Sequence, residues 1–141
     1  MEALLLDTHV WLWMVFNERP KMPEALWETL AKSGARNGLA VSEASFWEAS
    51  LKASKGKLKL PPNPREWLKR AARAPGVGVI QLDRDVLIRS TELDIKTRDP
   101  ADRMLVATAL RYDLRLATAD QVLIDYAENN RVPFLDCRNH V

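Results

Sequence analysis

Five acidic residues stand where a carboxylate could take part in chemistry. Asp7 and Asp120 each follow a short apolar run, and Asp99 and Asp102 lie at the start of a helical pattern. Glu48 interrupts the apolar face of another predicted helix. Open parallel sheets bind ligands at the carboxyl ends of their strands, so polar residues at the ends of apolar runs are candidates for a site.

Asp102 has the stronger functional signal of the two acids at the helix start. The sequence predicts Asp99 as the N-cap and Pro100 as the first helical residue. Asp102 shares a face with the stripe expected to pack on the sheet, namely Leu105, Val106 and Ala109. Each Asp has a structural alternative. The two after apolar runs could cap the next helix, and the two at the helix start could be acids that the helix dipole favours.

Glu48 lies on a helix that Ser42 is predicted to cap. Four residues share its predicted apolar face: Ala44, Trp47, Glu48 and Leu51. Burying an ionised carboxylate costs several kcal/mol unless a partner compensates it, so a positive group should lie near Glu48. Glu43 falls in the first turn, where the helix dipole favours a solvated negative charge.

Bringing these acids to one edge of a sheet would require cations or protons. Four negative charges would repel one another there: Asp7, Glu48, Asp102 and Asp120. A set of oxygen ligands favours Mg²⁺ or Mn²⁺ over zinc. Such a site hydrolyses phosphodiesters, because the metal activates a water and stabilises the leaving oxygen. Thr8 and Thr118 stand beside two of the acids and could orient a carboxylate or a water, or have no function.

Other metal or nucleophile chemistry has little support in the sequence. His9 is the one imidazole near the acids, and His140 is the penultimate residue. The single Cys137 has no neighbouring thiol or imidazole, so neither a zinc site nor a Cys–His or Ser–His arrangement is favoured. The lone cysteine also excludes a disulfide within the chain.

The elements that would position the acids alternate between strand and helix patterns, which predicts an α/β protein with five parallel strands. The predicted strands are Ala3–Leu6, Leu39–Val41, Val79–Leu82, Leu114–Thr118 and Pro133–Leu135. The predicted helices span residues 9–16, 23–33, 43–54, 64–73, 84–92, 100–112 and 120–128.

The composition predicts one soluble domain over residues 1–141. The longest apolar run, Val10 to Phe16, is too short to span a membrane, and the first residues lack a signal-peptide pattern. We therefore expect a cytoplasmic protein. Residues 49–73 carry eight Lys or Arg and one acid, a net charge of +7, which leaves −5 for the rest of a chain whose net charge is +2. This basic arm could draw a phosphate backbone toward the acids, or simply be a solvated surface.

Four segments together resemble PIN-domain ribonucleases, and most closely the VapC toxins of toxin–antitoxin pairs. They are Leu4-Leu5-Leu6-Asp7-Thr8-His9, then Val41-Ser42-Glu43-Ala44-Ser45-Phe46-Trp47-Glu48 with Lys52 and Gly56-Lys57-Leu58-Lys59-Leu60-Pro61, then Arg98-Asp99-Pro100-Ala101-Asp102-Arg103, and finally Ala117-Thr118-Ala119-Asp120. Each motif is weak alone, but their order and spacing together are specific. One departure is Glu43, where this subgroup more often has a small residue.

The resemblance implies a three-layer α/β/α fold around a parallel sheet and cleavage of RNA with Mg²⁺ or Mn²⁺. The family's acidic positions correspond to Asp7, Glu48, Asp102 and Asp120, with Asp99 as an additional contributor. It also implies a homodimer, and a cognate antitoxin that fills the acidic groove. The alternative function is an inert PIN-like module that only receives a partner peptide in that groove. A nuclease acting on DNA also stays open.

Four basic residues are candidates for substrate binding: Lys52, Lys55, Lys57 and Arg103. Arg103 could bind a phosphate or pair with an acid. Among the aromatic residues, Trp47 and Trp67 could stack on unpaired bases, although we expect them in the core. Core or dimer-surface positions are expected for Trp11, Trp13, Phe16 and Trp27. Two other phosphoryl-transfer folds fit less well. A dehalogenase-like phosphatase needs an Asp where His9 stands, and a receiver domain needs a strand-end Lys.

Overall fold

The computed structural model describes residues 3–139 as a five-stranded parallel sheet with helices on both faces. The strands are β1 (Leu4–Leu6), β2 (Leu39–Ser42), β3 (Val77–Ile80), β4 (Arg115–Thr118) and β5 (Phe134–Asp136). The helices are α1 (Thr8–Val15), α2 (Glu24–Ala35), α3 (Glu43–Ser54), α4 (Pro64–Ala71), α5 (Arg84–Glu92), α6 (Pro100–Tyr112) and α7 (Gln121–Asn129), with a short 3-10 helix at Arg19–Lys21.

The two faces of the sheet are covered by different helices because side chains alternate along each strand. Leu4 and Leu6 of β1 point to the core formed with α1 and α2, where Trp11 and Trp27 are buried. Leu5 points to the opposite core, formed mainly with α6 and α7. The predicted three-layer α/β/α fold is confirmed.

The strand order β3-β2-β1-β4-β5 makes the boundary between β1 and β4 the point where the winding of the sheet reverses. Leu6 pairs with Val41 on one side and with Ala117 on the other. Asp7 and Thr118 therefore lie next to each other at the carboxyl ends of these central strands. This is the position at which open α/β sheets bind ligands.

All five strands and seven helices of the prediction are present, and the differences lie at their ends. β3 begins two residues earlier than expected, directly after Gly76. The φ of Gly76 is +82°, and a Cβ there would lie 2.4 Å from the carbonyl oxygen of Gly34. This tight turn delivers Val77 to the register of β2. β5 begins after Pro133, which has no N–H to donate to a ladder.

Two further predictions concern membranes and the C-terminus. None of the helices in residues 3–139 has the length and apolar character that crossing a membrane requires. His140 lies outside the described residues.

Candidate active site

Asp7 lies in the gap between β1 and α1 and is 2% exposed. Its Oδ1 accepts a 2.8 Å hydrogen bond from the backbone N–H of Val10, so it caps α1, and its Oδ2 accepts a hydrogen bond from the hydroxyl of Thr118. Burial is the main cause that raises the pKa of Asp7 above its usual value, and the negative charge of Asp120 adds to it. The two hydrogen bonds oppose this rise.

Thr118 joins the acids at the ends of the two central strands. Its hydroxyl donates to Asp7 and accepts a 3.0 Å hydrogen bond from the backbone N–H of Asp120. Asp120 in turn caps α7 through its Oδ1, which accepts from the backbone N–H groups of Val122 and Leu123. Asp7 and Asp120 therefore both cap a helix, which is the structural role that the sequence left open for each of them. Both acids also lie at the same edge of the sheet, so capping does not exclude a role in the site.

Asp102 lies in the first turn of α6, with its side chain half-buried beside the other acids. Asp99 caps this helix by accepting a 2.9 Å hydrogen bond from the backbone N–H of Ala101. Burial is the largest cause that raises the pKa of Asp102 to about 7, and the charges of four other acids contribute in decreasing order: Asp99, Asp120, Glu48 and Asp7. These five residues form one electrostatic group, the acid cluster.

Glu48 projects from α3 and is 5% exposed. Its Oε2 lies 3.0 Å from the Nζ of Lys52, one turn further along the helix, and this Nζ lies 3.5 Å from the Nε2 of His9. The other oxygen, Oε1, is buried and has no hydrogen-bond partner in the described part of the chain. The positive group that burial of Glu48 requires is therefore Lys52. The i,i+4 spacing of Glu and Lys is the sequence signal for it.

The remaining face of α3 differs in one respect from the prediction. Ala44 and Glu48 are buried as expected, but Trp47 is 46% exposed, so its predicted place in the core is wrong. Trp47 instead lines a shallow groove of about 480 Å³ with Leu87 and Met104. Glu43 is exposed in the first turn, as expected for an acid favoured by the helix dipole.

Thr8 has a packing partner that the sequence does not reveal. Its buried hydroxyl lies 2.9 Å from the Oγ of Ser45 and so links α1 to α3. That Thr8 orients a carboxylate stays a prediction, whereas the hydroxyl of Thr118 does contact an acid, Asp7. Ser45 follows the capping Ser42 by three residues, and only the spatial pairing of the two helices reveals its importance.

Arg103 is engaged differently from either expected role. Its guanidinium donates four hydrogen bonds to backbone carbonyl oxygens of the segment that precedes α6: those of Ser90, Leu93, Ile95 and Thr97. A guanidinium has five N–H donors, so one is left over for any other partner. Arg103 therefore holds the chain between α5 and α6 in place. Lys55 and Lys57, by contrast, are exposed after the end of α3.

The large aromatic residues near α1 and α2 pack within the chain. Trp11 is 2% exposed and lies against Phe46 with ring centroids 4.8 Å apart, and Trp27 is buried. The ring of Phe16 stacks on that of Trp67 at a centroid distance of 5.3 Å. Of the two positions expected for Trp11 and Trp27, the core is therefore the one that the fold provides. Large apolar side chains are exposed elsewhere, at Trp47, Leu87 and Ile88.

The acids fit a hard divalent cation by donor type. Among residues 3–139, no three Asp, Glu, His or Cys side chains are close enough to form a ligand set as they stand. Mg²⁺ commonly takes only one or two protein carboxylates and keeps several waters, so a closed cage is not required. The unpaired Oε1 of Glu48 and the raised pKa of Asp102 both favour a cation here. Cys137 is buried, which raises its pKa to about 12 and removes it as a thiolate ligand.

Comparison with known proteins identifies the family of the chain. The family model of the PIN domain matches residues 4–129. The chain belongs to the PIN-domain family. The match spans the whole acid cluster, from Asp7 to Asp120. No curated protein sequence matches the chain.

Several solved structures similar to this PIN domain are toxin–antitoxin complexes. VapBC2 from Rickettsia felis, bound to a DNA fragment from its promoter, has a TM-score of 0.69 at 14% identity over 96% of this chain and 98% of that one. FitAcB from Neisseria gonorrhoeae gives 0.65 at 20% identity over 95% and 97%. DNA-bound VapBC from Salmonella typhimurium gives 0.63 at 18% identity over 96% and 98%. At these identities, the likeness demonstrates a shared fold.

Proposed function

We propose that this PIN domain is a metal-dependent endoribonuclease that acts as the toxin of a toxin–antitoxin pair. The observation that carries the proposal is the convergence of acids from four chain segments, in which Asp7 and Glu48 are buried and the buried Oε1 of Glu48 has no hydrogen-bond partner in the described part of the chain. Burial and the charges of the neighbouring acids raise the pKa of Asp102 to about 7. Structural acids are normally kept apart or paired with bases, whereas this cluster costs stability as long as no cation neutralises it. Its position at the reversal point of the sheet also favours a ligand site.

The residues have distinct roles in the proposed mechanism. Asp7, Glu48, Asp102 and Asp120 would hold one or two Mg²⁺ or Mn²⁺ ions, directly or through water. A bound ion supplies an activated water and neutralises charge on the phosphodiester. Asp7 is fixed by its bonds to Val10 and Thr118, so its carboxylate does not have to be ordered when a ligand arrives. Asp99 adds negative charge beside Asp102.

A nucleic-acid substrate is supported by charge, and the resemblance to VapC toxins makes RNA the proposed one. The arm of residues 49–73 has a net charge of +7 and begins within the helix that carries Glu48. Exposed Lys55 and Lys57 would contact the phosphate backbone while the acids hold the metal. Lys52, another candidate for substrate binding, has Glu48 as its partner in the free protein.

The proposed partners are a cognate antitoxin and a second copy of the chain. The antitoxin is supported by the similar structures, which are complexes of toxins with antitoxins. For the homodimer, we propose the surface of α5 with its exposed Leu87 and Ile88, of which Leu87 shares a groove with Trp47. α5 also carries the ion pair of Asp85 and Arg89, so two copies related by a twofold axis can match charges. We propose a cytoplasmic location for the complex.

The test is cleavage of a mixed pool of single-stranded RNA by the purified protein with Mg²⁺, with Mn²⁺ and with EDTA. Cleavage is expected with either ion and is expected to stop in EDTA. Asp102→Asn should abolish cleavage while the circular dichroism spectrum stays unchanged. Metal-independent cleavage, or full activity of Asp102→Asn, would contradict the mechanism. If neither cleavage nor metal binding occurs in the wild type, the inert peptide-binding module becomes the better description.

The basic arm is tested in the same assay. Lys55, Lys57 and Lys59 changed together to Glu should lower cleavage and make it less sensitive to added salt, because fewer counterions are released on binding. Lys32→Glu, Arg36→Glu and Arg131→Glu form a control for net charge, since these three residues are exposed outside the arm. Equal losses in both triple variants would show that total charge matters and the arm does not.

A further inference from the structure

Lys52 and Glu48 form an ion pair in which only the carboxylate is buried. The Nζ of Lys52 lies 3.0 Å from the Oε2 of Glu48, and the two side chains are 31% and 7% exposed. The pair lies on one face of α3, one turn apart. The ammonium group can therefore leave toward solvent, whereas the carboxylate cannot.

Glu48 is incompletely satisfied even with this partner. Its Oε1 is buried and accepts no hydrogen bond in the described part of the chain. An unpaired buried carboxylate oxygen is costly, so Glu48 has unused capacity for a cation. Its charge also contributes to the raised pKa of Asp102, which places it electrically within the acid cluster.

A divalent ion on Glu48 and the ammonium of Lys52 would be like charges on one carboxylate. Two such charges a few ångströms apart repel strongly in a partly buried site. Either the ammonium moves away when the ion binds, or the ion binds more weakly. In both cases the contact of Lys52 with Glu48 opposes the binding of the ion.

We infer that Lys52 is a built-in cation of the acid site, which competes with a divalent metal ion for Glu48. This inference rests on the proposed function, because it takes the acids to be a metal site. By linkage, a change that removes the ammonium strengthens metal binding and weakens the protein without metal. Lys52 is thus a positioning residue that sets how much free metal ion is needed to fill the site.

The experiment measures Mn²⁺ binding by titration calorimetry on the full chain. Lys52→Met removes the charge, and Lys52→Gln removes it but keeps a hydrogen-bond donor for Glu48, so it should fold even if the Met variant does not. Lys52→Arg keeps the charge. Lys32→Met removes an exposed lysine of α2 as a matched control. Melting temperatures in EDTA and in Mn²⁺ give a second readout.

The two neutral variants are expected to bind Mn²⁺ at least about fivefold more tightly than the wild type. Lys52→Arg and Lys32→Met should keep the wild-type affinity. In EDTA, Lys52→Met should melt at a lower temperature than the wild type. Addition of Mn²⁺ should raise the melting temperature of Lys52→Met by more than it raises that of the wild type. If the wild type binds Mn²⁺ and the neutral variants bind it equally or more weakly, the inference is overturned and the proposed metal site stands. If the wild type binds no Mn²⁺, both are overturned.

Discussion

Two helix starts in this molecule use an Asp in the same local arrangement and differ in everything around it. Asp7 at α1 and Asp83 at α5 each accept a 2.8 Å hydrogen bond from the backbone N–H three residues later. Each also accepts a hydrogen bond from a hydroxyl group, that of Thr118 for Asp7 and that of Tyr112 for Asp83. From the capping geometry alone, the two carboxylates are equivalent.

Their surroundings shift the two pKa values in opposite directions. The hydrogen bond from Tyr112 is the main cause that lowers the pKa of Asp83, and Arg111 contributes to the same effect. At Asp7 burial outweighs the hydrogen bonds, and Asp120 adds a like charge, so the pKa is raised. The side chain of Asp83 is 36% exposed, compared with 2% for Asp7 as a residue. A helix cap becomes a site acid through burial among other acids, and its bonds to the helix do not distinguish it.

The largest expected difference between the two caps is catalytic. Asp7→Asn should reduce RNA cleavage by at least about a hundredfold, because an amide is a poor ligand for Mg²⁺ and loses the negative charge. Asp83→Asn should leave cleavage unchanged, since Asp83 lies outside the acid cluster. Initial rates at saturating Mg²⁺ measure both. Comparable losses in the two variants would mean that capping, and not the acid cluster, explains the effect of Asp7.

Sequence alone could predict the acids because strand ends and helix starts are local patterns. The apolar run before Asp7 predicts that this acid follows a strand, and the sequence Asp99-Pro100 predicts the start of a helix. Neither prediction requires knowledge of the fold. The register that brings Thr118 beside Asp7 depends on strands more than a hundred residues apart. From the sequence, Thr118 could be singled out only because it lies close to Asp120, and its contact with Asp7 could not be predicted.

Sequence reasoning fails for side chains whose surroundings are set by distant elements. Trp47 lies on the same helical face as Glu48 by spacing, yet it stays 46% exposed, because α5 and α6 leave a groove at this point. Arg103, the neighbour of Asp102, is expected either to bind a phosphate or to pair with an acid. Its guanidinium instead donates to backbone carbonyl groups that sequence spacing does not identify. The edge strand β3 begins earlier than its apolar run predicts because a turn at Gly76 sets its entry.

The second expected difference is in the pH dependence of stability without metal. Burial and neighbouring acids raise the pKa of Asp102 from its ordinary value of 3.8 to about 7, so the folded protein binds the proton more tightly than the unfolded chain does. Stability in EDTA should therefore fall as pH rises from about 4 to about 7, and then level off. Asp102→Asn removes this penalty and should be more stable than the wild type at pH 7.5 by about 1–2 kcal/mol, a figure reduced for solvent screening.

Urea unfolding at pH 5 and pH 7.5 in EDTA measures this penalty. Asp83→Asn should change stability in the opposite direction, because the lowered pKa of Asp83 means that the folded state favours its ionised carboxylate. That variant should be less stable than the wild type at pH 7.5. A stability gain of Asp102→Asn that is the same at both pH values would contradict an origin in ionisation.

The smallest expected difference concerns the hydroxyl groups that contact the two caps. Thr118→Val keeps the shape of a buried side chain but removes the donor to Asp7 and the acceptor for the N–H of Asp120. We expect cleavage to fall about tenfold, as for other residues that orient metal ligands. Stability should fall by about 1–3 kcal/mol, because a backbone N–H loses its partner.

Two matched variants decide whether this loss is specific to the site. Thr118→Ser keeps the hydroxyl and should retain most of the activity. Tyr112→Phe removes the corresponding 2.5 Å hydrogen bond, which the hydroxyl of Tyr112 donates to Asp83. This variant should leave cleavage unchanged. If Thr118→Ser loses as much activity as Thr118→Val, the methyl group of Thr118 matters as much as its hydroxyl, and the loss is not specific to the hydrogen bonds. The orientation of Asp7 would then have to come from the hydrogen bond that it accepts from the backbone N–H of Val10. Asp83 has the equivalent bond from the N–H of Val86, so this feature does not distinguish the two caps.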